Sequence, residues 1–454
     1  MKVLLVCNGF PPSGQWGTEY YTHQLATGLE HQGDEALVLH PVRDPRRPRF
    51  DLREERRYGL RVLEVANSGD PRKAFADSYR CDGIERVFEG VLERERPDVV
   101  HFMHLLWGLS VRLPLLARER GIRTVVTPTD FGLICHRGQL RDWRASDCPG
   151  PTDLELCARC VREPGRWDRG PLLRQAKRLA VHGLAGLGGF GRVVVRGDIE
   201  ARRRCIAEAS AAVDHWILPT RTLGAALEQF GIGCENSTQL YYGIDESKYA
   251  RRVERPRRGG VHFVYMSQYM PHKGLARLLE AARILERRLP ESVEPWSLSL
   301  HGNGTRDRDR LYARTVLAEP LPRHVTDCGP FEPLRAPEIL AGTDCVVVPS
   351  EWQENAPLTV LQARAAGVPV IASDVPGVRE ILEIGNHGQL FPVGDVETLA
   401  DRMGAVIRGE LGRYRPAPLV RWEEHLQAVR RVHAGEGVPV SAPRSAPALA
   451  AQGS

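Results

Sequence analysis

The chain has 454 residues, of which 42% are hydrophobic and 26% are charged, and its formal net charge is +5. This composition is typical of a globular protein long enough for two substantial cores, and the small net charge argues against a dedicated nucleic-acid binder. Ten cysteines are scattered through the chain, which favours reduced thiols over a disulfide framework. No run of about 18 apolar residues occurs, and the opening MKVLLVCNGF meets PPSGQWG too early for a secretory signal, so we expect a cytoplasmic protein.

Short apolar runs alternate with helical patterns along the first half of the chain. They predict strands at Val3–Val6, Ala36–Leu39, Val62–Val65, Val99–Phe102, Thr124–Val126 and Trp216–Leu218. Alternation at this spacing predicts a doubly wound α/β domain with a mostly parallel sheet.

The alternation stops at residues 251–260, a charged segment with proline and glycine that is predicted to be a linker. A second series of strands is predicted at His262–Tyr265, Leu298–Leu300, Val325–Cys328, Asp344–Val348, Val370–Ala372 and Gln389–Phe391. We therefore expect two Rossmann-like domains, residues 1–250 and 261–417, that face a cleft. A helix near residues 418–434 is expected to return to the first domain, and residues 435–454, rich in Ala, Pro, Ser and Gly, are expected to be disordered.

Residues 345–371 have the pattern of a strand, a loop, a helix and a second strand. Pro357 fits the first position of the helix, where a missing N–H costs little. In such α/β units ligands bind beyond the carboxyl ends of the strands, and a helix N-terminus offers N–H groups to a phosphate. The loop that carries Glu351 and Glu354 is therefore expected to lie at the phosphates of a nucleotide.

Four stretches, in order, carry a family resemblance: residues 11–39 with a glycine loop and first helix, YYGIDESKY, residues 265–282 and residues 350–382. The chain is similar to the retaining glycosyltransferases of family 4, and the last stretch resembles their Glu-x7-Glu region. The resemblance implies the GT-B architecture, in which two Rossmann-like domains face an interdomain cleft. It also implies a nucleoside-diphosphate sugar as donor and a glycan, lipid-linked or small-molecule acceptor.

On this resemblance Glu354 would hold the donor sugar, because its carboxylate can accept hydrogen bonds from hydroxyl groups. The family's second glutamate, which binds the ribose, is replaced by Gln362, so weaker ribose binding or a different nucleotide is expected. The simpler alternatives are that Glu354 only favours the helix dipole and that Gln362 is a surface residue. The residues that the resemblance assigns to donor binding are Gly14, Gly17, Gln268, Lys273, Gly304, Phe331, Glu354, Asn355, Ala356, Pro357, Leu358 and Gln362.

Lys273, in the sequence HKG, is the candidate for stabilising the negative charge that develops on the departing diphosphate. The family's companion arginine is replaced by Gln268, which removes one positive charge. Lys273 could instead be a solvated residue at a helix start. Because Lys273 and the helix amides would take the place of a magnesium clamp, no metal or other cofactor is expected for catalysis.

Two residues of the N-terminal half complete the predicted catalytic set of Glu354, Lys273, His104 and Asp130. His104 lies at the end of a predicted strand, where relatives contact donor or acceptor, although an isolated histidine is as often structural. Asp130 resembles the aspartate of a His-Asp pair in the family, but the histidine is here Thr129.

A cysteine-rich insertion at residues 135–160 resembles cysteine runs found in a subset of the family. Cys135, Cys148, Cys157 and Cys160 could enclose a structural zinc ion, since the final C-x2-C places two thiols on one knuckle. Unligated thiols or a transient disulfide are the alternatives.

Residues 170–192 mix Arg and Lys with leucines at helical spacing. This segment could make peripheral contact with the inner face of a membrane that presents a lipid-linked acceptor, and a core-packing helix is the alternative. Besides glycosyl transfer, two functions stay open: a noncatalytic sugar-nucleotide-binding subunit, because Gln268 and Gln362 replace charged groups, and a sugar-nucleotide epimerase on the same fold.

Overall fold

The computed structural model describes residues 1–12, 16–68, 75–163, 194–249, 260–289, 295–304, 307–383, 388–410 and 419–437. The chain divides into two compact units: unit 1 contains Met1–Leu240 and the described residues from Leu426 on, and unit 2 contains Tyr241–His425. The predicted linker and the predicted disordered tail lie almost entirely outside the described residues, and the segment 170–192 lies wholly outside them.

Unit 1 is built on a sheet of eight strands within its described residues. In chain order these are β1 (Lys2–Val6), β2 (Glu35–Val42), β3 (Leu52–Arg57), β4 (Leu60–Ala66), β5 (Val99–Phe102), β6 (Arg123–Val126), β7 (His215–Leu218) and β8 (Ser237–Gln239). The order across the sheet is β3-β4-β2-β1-β5-β6-β7-β8. The strands pair in parallel except for the antiparallel pair of β3 with β4.

Helices of unit 1 connect these strands and cover the sheet. They are α1 (Gly17–His31), α2 (Asp82–Glu95), α3 (Leu113–Arg118), α4 (Leu154–Arg162), α5 (Arg196–Ser210) and α6 (Arg221–Gln229). Strand β1 shows why the sheet is the core: Val3, Leu4, Leu5 and Val6 are all fully buried, as expected for a parallel strand covered on both faces.

In the described part of unit 2 there is a six-stranded sheet, in which all pairs of neighbouring strands are parallel. Its strands are β9 (Val261–Met266), β10 (Trp296–His301), β11 (Val325–Gly329), β12 (Cys345–Val348), β13 (Val370–Ser373) and β14 (Gly388–Phe391). The order β11-β10-β9-β12-β13-β14 is the Rossmann order, which reverses between β9 and β12. Ligands of such sheets bind beyond the carboxyl ends of the strands at that reversal.

The helices of unit 2 are α7 (Leu275–Arg288), α8 (Asp307–Val316), α9 (Ala336–Ala341), α10 (Leu358–Ala365), α11 (Pro376–Glu383) and α12 (Val396–Ile407). The last helix, α13 (Trp422–His433), begins in unit 2 and ends in unit 1. The end of this helix makes side-chain contacts within unit 1. Arg430 donates to Asp34 at 2.7 Å, and the His433 Nε2 atom lies 3.0 Å from His101 Nδ1. Within the described ranges, no helix is both long and apolar enough to cross a membrane.

Every strand predicted from an apolar run is present, and two strands were missed. The sequence of β3, LREERR, is charged and mostly exposed because this strand lies at the sheet edge, so it carries no apolar signal. Strand β8 has only three residues. The position of Pro357 also differs from the prediction: it precedes the first helical residue, Leu358, with a ψ of 114°, and is therefore the N-cap of α10 rather than its first residue.

Candidate functional site

The predicted donor-binding residues of unit 2 follow the carboxyl ends of four strands. Gln268 follows β9, Gly304 follows β10, Phe331 follows β11, and the loop with Glu354 follows β12. These four strands are neighbours in the sheet and run in parallel, so the residues lie along one edge. The sequence-predicted set is thereby brought together at the edge where a Rossmann sheet binds ligands.

Glu354 is held inside the loop between β12 and α10. Its side chain is 6% exposed, and its Oε1 atom accepts a hydrogen bond from the Ser350 hydroxyl at 2.6 Å. Ser350 was not predicted from the sequence to be a site residue. Its position two residues after a buried strand is the signal that could have indicated it. A buried carboxylate needs such donors, because an unpaired charge away from water is costly.

Lys273 contacts the same carboxylate. Its Nζ atom donates to Glu354 Oε1 at 2.7 Å, and its side chain is 16% exposed. The ammonium group also lies 4.6 Å from the ring centre of Trp352, within the range of a cation–π interaction. One cation and one carboxylate therefore form a pair at the sheet edge, beside the N-terminus of α10.

Backbone contacts fix the loop of Lys273 against the loop of Glu354. The Glu351 N–H donates to the carbonyl of His272 at 2.8 Å. Gly274 has a φ of +73°, and a Cβ atom there would lie 1.8 Å from the carbonyl oxygen of Pro349. Glycine is required at this position both for its conformation and for the close approach.

A second glycine supports the Glu354 loop from the other side. Gly377 lies in the first turn of α11, and a Cβ atom on it would be 2.0 Å from the carbonyl oxygen of Glu354 and 2.2 Å from that of Asn355. The backbone of this loop is therefore approached closely at Pro349 by Gly274 and at Glu354 and Asn355 by Gly377.

The N-terminus of α10 presents the remaining predicted donor residues. No side chain caps this helix, and Pro357 supplies no N–H. Asn355 is buried, while Ala356, Pro357 and Leu358 are half-buried. Gln362 is 5% exposed, which rules out the alternative that it is a surface residue.

The loops after β9 and β10 lie against each other. The hydroxyl of buried Tyr265 donates to the Gln268 carbonyl at 3.1 Å, and a Cβ atom on Gly302 would lie 1.9 Å from the Ser267 carbonyl oxygen. A Cβ atom on Gly304 would lie 2.5 Å from the backbone of Asp309 in α8. Phe331 packs edge-on to the His301 ring at a centroid distance of 6.2 Å.

His104 and Asp130, the predicted catalytic residues of unit 1, are hydrogen-bonded to each other. The His104 Nε2 atom lies 3.2 Å from Asp130 Oδ2, and His104 Nδ1 accepts the Leu106 N–H at 3.0 Å. Because Nδ1 is an acceptor, the proton of the neutral ring is on Nε2 and is donated to Asp130. The loop after β5 thus supplies the histidine partner that the sequence lacks at Thr129.

Asp130 is a carboxylate with several donors. Burial alone would raise its pKa, but the pKa is lowered overall by His104, the Gly132 N–H and the Trp107 indole N–H. The indole donates to Oδ2 at 3.3 Å and the Gly132 N–H donates to Oδ1 at 2.7 Å.

Of the glycines predicted near the first strand, Gly17 is the first residue of α1, and Gly14 lies outside the described residues.

Cys135, Cys148, Cys157 and Cys160 are free thiols near one another. Burial raises the pKa of Cys157 to about 12, and the nearby Cys148, Cys135 and Cys160 raise it further. In the part of the chain that the structure describes, however, no group of three or more His, Cys, Asp or Glu side chains is arranged to hold a metal ion. The geometry gives no support to zinc, which stays a prediction from the sequence.

Comparison with known proteins agrees with this geometry. Residues 17–243 match the family model described as glycosyl transferase 4-like domain, and residues 248–417 match the model of glycosyl transferases group 1. A glycogen synthase from Mycobacterium tuberculosis is 27% identical over 93% of this chain and 89% of its own length. A phosphatidyl-myo-inositol mannosyltransferase from Mycobacterium leprae is 28% identical over 38% of this chain and 44% of its own length.

Solved structures show the same fold. Sucrose-phosphate synthase from Thermosynechococcus elongatus aligns with a TM-score of 0.63 at 15% identity, over 96% of this chain and all of that one. Anabaena HepE in complex with UDP and glucose aligns with a TM-score of 0.54 at 14% identity, over 95% of both chains. With its two parallel-sheet α/β domains and both family models matched, the chain belongs to the group 1 glycosyl transferases and has the GT-B fold.

Proposed function

We propose that this glycosyltransferase transfers a sugar, with retention of anomeric configuration and without a metal, from a nucleoside-diphosphate sugar to a glycan, lipid-linked or small-molecule acceptor. The observation that carries the proposal is the contact of Lys273 with Glu354, 2.7 Å apart at the edge of the Rossmann sheet. A cation beside a helix N-terminus suits a diphosphate, and a carboxylate suits sugar hydroxyls.

The proposed chemistry needs charge stabilisation more than a dedicated base. The bond between the anomeric carbon and the phosphate oxygen breaks, and the acceptor oxygen bonds to the same face of the sugar. The acceptor proton passes to the departing phosphate, which leaves as the nucleoside diphosphate. Lys273 and the amides at the start of α10 would stabilise the negative charge that develops on that phosphate. Such groups typically lower the activation free energy by about 3 kcal/mol.

A hydrolysis assay without acceptor tests the donor half of this proposal. The purified chain is incubated with a panel of nucleoside-diphosphate sugars, which includes UDP-glucose because HepE is known in complex with it. We expect release of the nucleoside diphosphate that falls at least about 100-fold in Lys273→Ala and in Glu354→Ala. Arg288→Ala is the matched control, since Arg288 is an exposed cation of unit 2 that pairs with Asp401 at 2.9 Å; it should hydrolyse normally.

Stereochemistry and metal use are tested separately. Proton NMR of a fresh transfer product should show the anomeric configuration of the donor; an inverted product would disprove retention and leave glycosyl transfer standing. Residues 307–309 read Asp-Arg-Asp, a spacing that a divalent cation could use, so the assay is run with EDTA and with Mg²⁺. Full activity in EDTA is expected, and loss of activity restored by Mg²⁺ would contradict metal independence.

A noncatalytic sugar-nucleotide-binding subunit is the second candidate. Gln268 and Gln362 stand where the family resemblance places an arginine and a glutamate, and both replacements remove a charge from donor binding. Nucleotide-dependent thermal stabilisation without hydrolysis of any donor would favour this function over transfer.

A further inference from the structure

Trp107 is an exposed aromatic residue within a buried loop of unit 1. Its neighbours Leu105, Leu106 and Leu109 are at most 5% exposed, whereas Trp107 is 37% exposed. The loop is anchored on both sides, since Leu106 donates to His104 and the Gly108 carbonyl accepts from Asn67 at 2.8 Å. The exposure of the indole is thus imposed by a fixed backbone.

The backbone conformation of Trp107 is itself unusual. Its φ is +58°, in the left-handed region that bulky residues avoid. Such conformations persist where the surrounding structure enforces them, and they concentrate at ligand-binding positions. Here Trp107 combines this conformation with an exposed indole between buried leucines.

The indole lies directly beside the His104–Asp130 pair. Its N–H donates to Asp130 Oδ2 at 3.3 Å, and its ring centroid is 6.3 Å from that of His104. Gly138, in the cysteine-rich insertion, leaves room for both side chains, because a Cβ atom there would lie 3.1 Å from Trp107 and 3.2 Å from Asp130. The insertion therefore forms part of the wall around this cluster.

Three donors from the described part of the chain contact the Asp130 carboxylate. A carboxylate offers about four lone-pair positions. Those used here accept from His104, Trp107 and the Gly132 N–H. The Asp130 side chain is 24% exposed, so a solute can reach it.

An exposed aromatic face next to an accessible carboxylate fits a carbohydrate. The C–H groups on one face of a pyranose are weakly positive and suit the negative face of an indole, while its hydroxyl groups are donors to a carboxylate. We propose that Trp107 stacks on a pyranose ring of the acceptor and that Asp130 accepts a hydrogen bond from one of its hydroxyl groups. The identification of this sugar as the acceptor rests on the proposed function; the binding of a pyranoside does not.

The test is a binding measurement that needs no donor. Saturation-transfer difference NMR is recorded on the whole chain with the methyl α- and β-pyranosides of glucose, galactose and mannose. The variants are Trp107→Ala, Trp107→Phe and, as the control, Tyr58→Ala. Tyr58 is also an exposed aromatic of unit 1 with a positive φ, +53°, in the turn between β3 and β4.

We expect at least one pyranoside to bind saturably to the original chain. Its affinity should fall about tenfold or more in Trp107→Ala. In Trp107→Phe, which keeps the aromatic face but loses the N–H, the affinity should stay within about threefold. Tyr58→Ala should bind like the original chain. Equal affinity in Trp107→Ala, an equal defect in the Phe and Ala variants, or no saturable pyranoside binding would each overturn the stacking proposal.

Donor hydrolysis in the same variants separates this proposal from the proposed function. Normal hydrolysis is expected in Tyr58→Ala, and the tenfold weaker pyranoside affinity expected in Trp107→Ala corresponds to a loss of about 1.4 kcal/mol of binding. Hydrolysis that is absent in every variant, with pyranoside binding still dependent on Trp107, would refute the proposed function alone.

Discussion

The predicted donor-binding loops of unit 2 and the His104–Asp130 cluster of unit 1 are held in place by different kinds of contact. The backbone of the Glu354 loop packs closely against the backbones of Gly274 and Gly377. Around Asp130 the contacts are between side chains, through His104 and Trp107. The course of the Glu354 loop should therefore depend on its neighbouring glycines, and the position of Asp130 should depend on the side chains that contact it.

Gly274→Ala is the strongest test of the backbone half of this comparison. The added Cβ would lie 1.8 Å from the Pro349 carbonyl oxygen, so the loop of Lys273 must move away from Glu354. We expect donor hydrolysis to fall about 100-fold or more, which corresponds to about 2.7 kcal/mol. Gly394→Ala is the control, because Gly394 has a similar φ of +77° with no atom within 4 Å of the added Cβ. Equal activity of the two variants would refute the argument from close approach.

Acid should weaken unit 1 through a side chain of α13. Burial lowers the pKa of His433 to about 3, and nearby Arg123 and Arg430 lower it further against the opposite effect of Asp34. Below the ordinary histidine pKa of 6.5 the unfolded chain takes up a proton that the folded chain does not, so stability present at pH 7 is lost as the pH falls toward 3.

The His433 contribution to this loss should be about 2 kcal/mol between pH 7 and pH 5. Urea unfolding at the two pH values measures it as the difference between the original chain and His433→Gln. The exposed His31→Gln is the matched control and should lose as much stability as the original chain. A His433→Gln variant with the same pH dependence as the original chain would contradict the assignment.

Ser350→Ala probes a side chain within the backbone-held site. It removes the 2.6 Å hydrogen bond to Glu354 and leaves Lys273 as a donor to the same oxygen. The loss of one hydrogen bond to a charged group is worth about 1.5 kcal/mol, so donor affinity should fall about tenfold. Ser299→Ala, at another buried serine of unit 2, which bonds His262 at 3.1 Å, should leave donor affinity unchanged.

Gln362→Glu has the smallest expected effect. If residue 362 faces the ribose, a carboxylate gives two acceptor oxygens to the diol in place of one, and nucleotide affinity should rise about threefold to tenfold. Isothermal calorimetry with nucleoside diphosphates measures this change. Unchanged affinity would count against contact between Gln362 and the ribose.

The fold could be predicted from the sequence largely because parallel strands covered on both faces are continuous apolar runs. Val3–Val6 and Cys345–Val348 are such runs, and both are buried strands. The edge strand β3 could not be found in this way, because its exposed charged residues obey no core pattern.

The candidate site could be predicted only in part. Lys273 and Glu354 could be named from their motifs, but their direct contact depends on the pairing of β9 with β12, a property of sheet topology. Trp107 was missed because a tryptophan after two leucines is typical of a core segment, whereas in the structure its side chain is exposed and its φ is positive. The partnership of His104 with Asp130 also required the structure, since the two residues follow different strands.

The two glycines around Glu354 have a practical consequence for changing sugar preference. Because main-chain atoms set the position of this loop, its half-buried side chains can be exchanged while its course is kept. A combinatorial library at Gln353 and Ala356, with Gly274 and Gly377 held constant, should therefore yield folded enzymes at high frequency. Selection from such a library for new donors would test different side chains for the recognition of sugar hydroxyl groups on an unchanged backbone.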